Sequence, residues 1–91
     1  MLVNMNWPQL QELNLSFNQI GDNGLKNLVK HNWKKLKKLY LRYNSIGNKG
    51  LMSLVVMNMP SLQNLDMGDN RITDDGCKVL ARGQWRQLKV L

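Results

Sequence analysis

The chain has 91 residues, a hydrophobic fraction of 43% and a formal net charge of +7. It is one small domain with enough apolar residues for a core, and its longest purely apolar run, Leu54-Val55-Val56-Met57, is far too short to cross a bilayer. The lone Cys77 excludes an internal disulfide and fits a reducing compartment, and Met1-Leu2-Val3-Asn4-Met5-Asn6-Trp7 lacks the basic head and long apolar stretch of a secretory signal, so the expected localisation is cytoplasmic.

Taken in order, the chain repeats itself. Leu2 and Val3 recur as Leu28 and Val29, Asn6 as Asn32, and Trp7 as Trp33. Residues 1–9 therefore read as the tail of a preceding unit. At Leu10 a frame opens, L-x-x-L-x-L-x-x-N, ending at Asn18. It returns from Leu36 to Asn44 and from Leu62 to Asn70, with Met67 in place of the third leucine. Leu88-Lys89-Val90-Leu91 begins it again. The leading leucines fall at 10, 36, 62 and 88, a constant step of 26 residues. Such an internal period is the signature of stacked repeats. The full units are 10–35, 36–61 and 62–87, residues 88–91 start a fourth, and one array spans 1–91. Neither end carries a polar capping unit, so the expectation is a piece of a longer protein, with apolar terminal rungs prone to self-association.

Each unit has the same landmarks. In Leu39-Tyr40-Leu41 apolar and polar residues alternate, which places Leu39 and Leu41 on one face of a strand and Tyr40 on the other. Asn18, Asn44 and Asn70 follow. The expectation is an asparagine ladder, each amide turned inward to satisfy backbone groups in its own turn and that of the next rung. Ile20, Ile46 and Ile72 are core positions. Asp22, Asn48 and Asp74 are residue types that cap a helix N-terminus. Gly24, Gly50 and Gly76 allow close approach of adjacent rungs. A helical stripe at i, i+3, i+4 comes next: Leu25, Leu28, Val29; then Leu51, Leu54, Val55; then Cys77, Leu80, Ala81. Cys77 thus stands where leucine stands twice and is expected in the core. Trp7, Trp33, Met59 and Trp85 mark the return turns, with Pro8 and Pro60 just before a strand begins. One such unit buries too little to offset its own ordering, so units must stack. Parallel strands joined by helices give right-handed crossovers. Strands about 4.8 Å apart and helices about 8 to 10 Å apart make the stack curve, strands inside.

The repeated L-x-x-L-x-L-x-x-N frame resembles the leucine-rich-repeat family across nearly all of the chain. The tail I-G-D/N-x-G-x-x-x-L, at Ile20–Leu28 and Ile46–Leu54, is similar to the ribonuclease-inhibitor-like branch, and Ile72-Thr73-Asp74-Asp75-Gly76 is similar to repeats of F-box proteins. The resemblance implies an α/β right-handed horseshoe solenoid, parallel strands on its concave face and helices on its convex face. It also implies binding of another protein through the concave face, without catalysis, cofactor or small-molecule substrate. Here the period is a uniform 26 and the chain is basic, whereas ribonuclease inhibitor alternates its repeat lengths and is acidic, so its ligand is not carried over.

The outward strand positions are the ones where the repeats disagree: Glu12, Asn14, Ser16 and Phe17; Lys38, Tyr40, Arg42 and Tyr43; Asn64, Asp66, Gly68 and Asp69. A fixed framework with free outward positions suits recognition, and Tyr and Arg are enriched at interface hot spots. The candidate contact residues are Phe17, Lys38, Tyr40, Arg42, Tyr43, Asp66 and Asp69, centred on Tyr40, Arg42 and Tyr43. The face is roughly 15 by 20 Å, about 300 Å² against a typical 800 Å² per partner. Alone, the chain should bind weakly.

Charge offers an alternative. Residues 36–61 carry Lys37, Lys38, Arg42 and Lys49 with no acid. The run Trp33-Lys34-Lys35-Leu36-Lys37-Lys38 could hold nucleic acid or another anionic surface. It reads better as a solvated edge able to steer an acidic partner. Catalysis has no support: His31 and Cys77 lie nearly two rungs apart. The aspartates 66, 69, 74 and 75 lack calcium-loop spacing, because a loop turning at Gly76 would start at Arg71. No zinc spacing or phosphate loop is present.

Overall fold

A computed structural model describes residues 8–31, 33–55, 59–81 and 89–90. Expectations for residues 1–7, for Trp85, for Leu88 and for Leu91 lie outside that set. The elements are β1 (Glu12–Asn14), α1 (Gly21–Leu28), β2 (Lys38–Tyr40), α2 (Asn48–Val55), β3 (Asn64–Asp66), α3 (Asp74–Ala81) and β4 (Lys89–Val90). The strands form one parallel sheet in the order β1-β2-β3-β4. Leu13 pairs with Leu39 and Leu39 with Leu65, so the 26-residue period is also the register. α2 packs against both α1 and α3.

The middle rung is the best buried. Leu39, Leu41, Ile46, Leu51 and Leu54 have no accessible surface, and Leu36 and Met59 are buried beside them. Val55 is only half-buried. In the first rung Leu10, Leu13, Leu15 and Ile20 are partly exposed, as are Ile72 and Leu80 in the third. Trp33 is buried at the return turn, where its indole N–H donates to Leu28 O at 2.8 Å. Cys77 departs from expectation and is exposed. Its counterparts Leu25 and Leu51 are covered by the following helix, whereas no described helix packs on the far side of α3.

The asparagine ladder is present, with its direction reversed from the expected one. Asn44 Oδ1 accepts from Asn18 N–H at 2.9 Å and Ile20 N–H at 3.2 Å, and its Nδ2 donates to Leu15 O at 2.9 Å. Asn70 does the same for Asn44 N–H, Ile46 N–H and Leu41 O, at 3.0, 2.9 and 2.8 Å. Each amide therefore serves its own turn and the rung before it. The cause is the orientation of the turn amides. N–H groups of Leu15 and Phe17 already point forward, onto Tyr40 O and Arg42 O. Those of Asn18 and Ile20 point the same way, and past the end of the strand only a side chain of the following rung can meet them.

Asp22 and Asn48 differ from expectation in a complementary way. Asp22 does not cap its own helix. α1 has Ile20 at its N-cap position and no side-chain cap. Instead Asp22 Oδ1 accepts from Gly47 N–H at 2.7 Å and Gly50 N–H at 3.1 Å, the orphan donors at the start of α2. Asn48 likewise accepts from Thr73 N–H at 3.1 Å, just ahead of α3. The reason lies in the glycines. A Cβ on Gly50 would sit 2.6 Å from Asp22 Oδ1, and one on Gly76 would collide with Asn48 Oδ1. Their absence lets the carboxylate or amide slide under the neighbouring helix, where unpaired N–H groups outcompete its own.

β4 pairs with β3 one residue short of the period, Asn64 to Lys89 and Leu65 to Val90. A two-residue strand with one described neighbour has little to fix its register.

Three substitutions separate these forces. Asn44→Ala should lower the unfolding free energy by roughly 3 kcal/mol or more in urea titrations, because it orphans buried groups of two rungs. Asn18→Ala, whose amide among the described residues bonds only to Leu15 O and Ser16 O in its own turn, should lose about 1 kcal/mol. Asp22→Ala should destabilise by about 1 to 2 kcal/mol although it caps a helix other than its own.

Candidate protein-binding face

The strand ends as Asn14, Tyr40 or Asp66, and three residues later the backbone of each of these three rungs turns left-handed: φ is 64° at Phe17, 57° at Tyr43 and 55° at Asp69. The strain is held by cross-rung bonds from Phe17 N–H to Arg42 O at 2.8 Å and from Tyr43 N–H to Gly68 O at 3.1 Å. Glycine or asparagine would satisfy this conformation at lowest energy. The chain instead places two large rings there. Phe17 is 68% exposed and Tyr43 48% exposed, and their rings stack with centroids 4.6 Å apart and 19° between planes. Two of the expected contact residues are thus brought into one aromatic shelf.

Arg42 stands next to the shelf and is already engaged. Its Nε donates to Asp66 Oδ2 at 3.2 Å and its Nη1 to Asp69 Oδ2 at 3.0 Å. The guanidinium lies over Gly68, where a Cβ would fall 2.6 Å from its Cζ. The hydrogen bond to Asp66, then the charge of that carboxylate, raise the Arg42 pKa above its ordinary value. The surface position of the group makes this bridge a guide of geometry more than a source of stability. Asp66 also fixes itself through Oδ1, which accepts from Gly68 N–H at 3.0 Å. Four sequence-predicted residues, Phe17, Tyr43, Asp66 and Asp69, therefore surround Arg42 or adjoin it. Tyr40 is half-buried within β2, and Lys38 is exposed at the start of the same strand.

The basic run lies elsewhere. Lys34, Lys35, Lys37 and Lys38 are all exposed, while the backbone N–H groups of Lys37 and Lys38 are tied to Gln11 O in rung one. His31 meets Trp33 edge-on at 6.4 Å between centroids. Among the described residues no group of three or more His, Cys, Asp or Glu side chains converges as metal ligands.

Two features escaped the residue pattern. The left-handed turn at positions 17, 43 and 69 left no signal, because none of the three is glycine or asparagine. The Arg42–Asp66 pair did leave one: with a 26-residue register the two are diagonal neighbours on adjacent strands, where opposite charges attract.

The family model described as Leucine Rich repeat matches residues 8–29, 34–55 and 58–81. These segments take in well over half of the chain, and the chain belongs to the leucine-rich-repeat family. Repeats of this family commonly mediate protein–protein contacts and are typically non-catalytic. No curated protein and no solved structure gives a significant match.

Replacing both rings by asparagine (Phe17→Asn with Tyr43→Asn) exchanges a stacking energy of about 0.5 to 1.5 kcal/mol for relief of left-handed strain of similar size. The double variant should keep its stability within about 1 kcal/mol in chemical denaturation, which makes it a clean probe of contact.

Proposed function

We propose that the chain is an interaction module that binds another protein through its strand face. The observation that carries the reading is the aromatic shelf: Phe17 and Tyr43 are held exposed, on backbone that other residues would occupy with less strain. Exposed apolar rings on a rigid frame supply contact area at low entropy. The finer architecture belongs to the same proposal. Strands spaced at about 4.8 Å and helices at about 8 to 10 Å favour a right-handed horseshoe solenoid of the ribonuclease-inhibitor-like kind, with this face concave. The residues proposed for contact are Phe17, Tyr40 and Tyr43, with Arg42, Asp66 and Asp69 shaping the adjoining surface and Lys38 at the far end of the strand. A cytoplasmic setting, where an exposed thiol such as Cys77 stays reduced, is part of the proposal.

The test is site-specific photocrosslinking in the full-length protein. A benzoylphenylalanine at position 43 should give a protein adduct that Phe17→Asn weakens severalfold. The same probe at Met52, 55% exposed on α2, should give little. Equal yields from the two positions overturn the assignment of the face.

A further inference from the structure

The lysines of the return turn have no part in the strand-face reading apart from Lys38, and the fold does not require them. In Trp33-Lys34-Lys35-Leu36-Lys37-Lys38-Leu39 the three apolar residues are buried and all four lysines are exposed. The flanking rungs put neutral residues at the same places: Pro8, Gln9 and Gln11 in the first, Pro60, Ser61, Gln63 and Asn64 in the third. The one charged counterpart is Glu12, in register with Lys38. The ion pairs among the described residues both belong to Arg42, and so leave Lys35, Lys37 and Lys38 unmatched. The other five acids stand at the opposite edge: Asp66 closes β3, Asp69 follows it, and Asp22, Asp74 and Asp75 lie in first helical turns. Lys89 adds a further base to the row of strand starts, opposite Asn64. A base such as Lys26, in the last turn of α1, answers the helix dipole, but that field fades within the turn and Lys34 lies well past the helix end at Leu28. Four like charges thus share a stretch at most about 14 Å long, with neighbours inside the Debye length of about 8 Å at physiological salt. Their backbone is fixed. The N–H groups of Lys37 and Lys38 donate to Gln11 O at 2.8 and 3.0 Å, Lys37 O accepts from Gln63 and Asn64 N–H at 2.8 and 3.0 Å, and Lys34 O accepts from Ser61 Oγ at 2.9 Å. The chain cannot move to relieve the repulsion; side chains splay, or an anion arrives.

We infer that this edge is a second docking surface, and that its occupant is an acidic segment of another protein, a run of glutamates or aspartates laid across Lys34, Lys35, Lys37 and Lys38. Charge complementarity sets the sign, and two observations select a protein over a nucleic acid. Trp33 is the only aromatic residue of the run and is 2% exposed, so no ring is offered for a base to stack on. The run also holds no arginine, whose planar fork grips phosphate through two bonds at once, and consists of lysines, which act as point charges. Single carboxylates suit such charges. The surface lies at the strand starts, whereas the Phe17–Tyr43 shelf lies past the strand ends, so the two are separate in all but Lys38. The inference therefore goes beyond the strand-face reading and does not depend on it. It also turns the steering of an acidic partner, expected from composition, into contact at a defined place.

Three probes test the site: blocked hexaglutamate, blocked hexaglutamine and 5′-phosphorylated hexathymidylate. Each is titrated into the full chain while the backbone amide shifts of Lys35, Lys37 and Lys38 are followed by NMR. Hexaglutamate should move these amides, and its binding should be lost in ~1 M salt, where the Debye length is about 3 Å. Lys35→Gln with Lys37→Gln and Lys38→Gln should weaken it about tenfold, the loss of three exposed ion pairs of ordinary strength. Lys26→Gln with Lys49→Gln and Lys78→Gln removes the same charge from the helices and should weaken it by about twofold or less, because those charges are screened from the edge. Equal losses from the two triple variants mean attraction to net charge alone and overturn the site. Absence of shifts with hexaglutamate, or equal binding of hexaglutamine, overturns it too. Hexathymidylate that binds as tightly as hexaglutamate or more so overturns the choice of a protein partner and makes the edge a nucleic-acid surface. Each of these outcomes leaves the strand-face reading to its own crosslinking test.

Discussion

A single buried carboxamide sets the terms for the rest of the molecule. Asn44 is the one polar side chain with no accessible surface among the described residues, and it bridges backbone groups of rungs one and two. Side chains at this depth must be fully bonded, because an unpaired donor or acceptor there loses its hydration with nothing in return. Asn44 meets that demand only if the two rungs lie at one separation and one register. Leucine packing is tolerant of small slides, while two N–H donors converging on one oxygen are not. The 26-residue period is therefore enforced by geometry of polar groups, with Leu39, Leu41 and Ile46 filling the space so defined.

The helix side uses the same device in the opposite sense. Asp22 reaches forward to the first turn of α2, whereas Asn44 reaches back to the turn of rung one. Adjacent rungs are clasped at two points by side chains from opposite partners. Glycine at 50 makes the forward clasp possible, and its benefit lies wholly in what it admits from the neighbouring rung. α1 begins one residue earlier in the period than α2 and α3, at Gly21 rather than at the place of Asp22. It is also the helix whose first turn no described carboxylate or amide from another rung holds.

Much of this was legible in the residues. Leucines at 10, 36 and 62 located the strands, and asparagines at 18, 44 and 70 located the turns. The outward positions are those where the repeats disagree, and Phe17, Tyr43, Asp66 and Asp69 are among them. What was not legible depended on relations between rungs. Nothing in the residue type of Asp22 says whether it caps its own helix or the next, because both donors are equally good and only spacing decides. The burial of Cys77 could not be read from its alignment with Leu25 and Leu51, since a position in a repeat is buried by its neighbour and not by itself. The left-handed turn at Phe17 and Tyr43 runs against residue preference, so the residue types there give no sign of it.

The forward and backward clasps carry a consequence for how such a chain can change length. Hydrogen bonds here join residues 24 to 29 positions apart, at Ile20–Asn44, Gly47–Asp22 and Leu15–Asn44. Deleting or inserting one residue inside a return turn leaves both clasps intact, because the turn, although enclosed by each of these spans, supplies none of their donors or acceptors and can bulge. The same change between a strand and its helix draws the asparagine and the aspartate out of step together, and neither can compensate for the other. Growth by tandem duplication of a whole unit avoids that damage entirely and delivers a fresh set of outward residues with each copy, free to diverge while the framework behind them stays fixed.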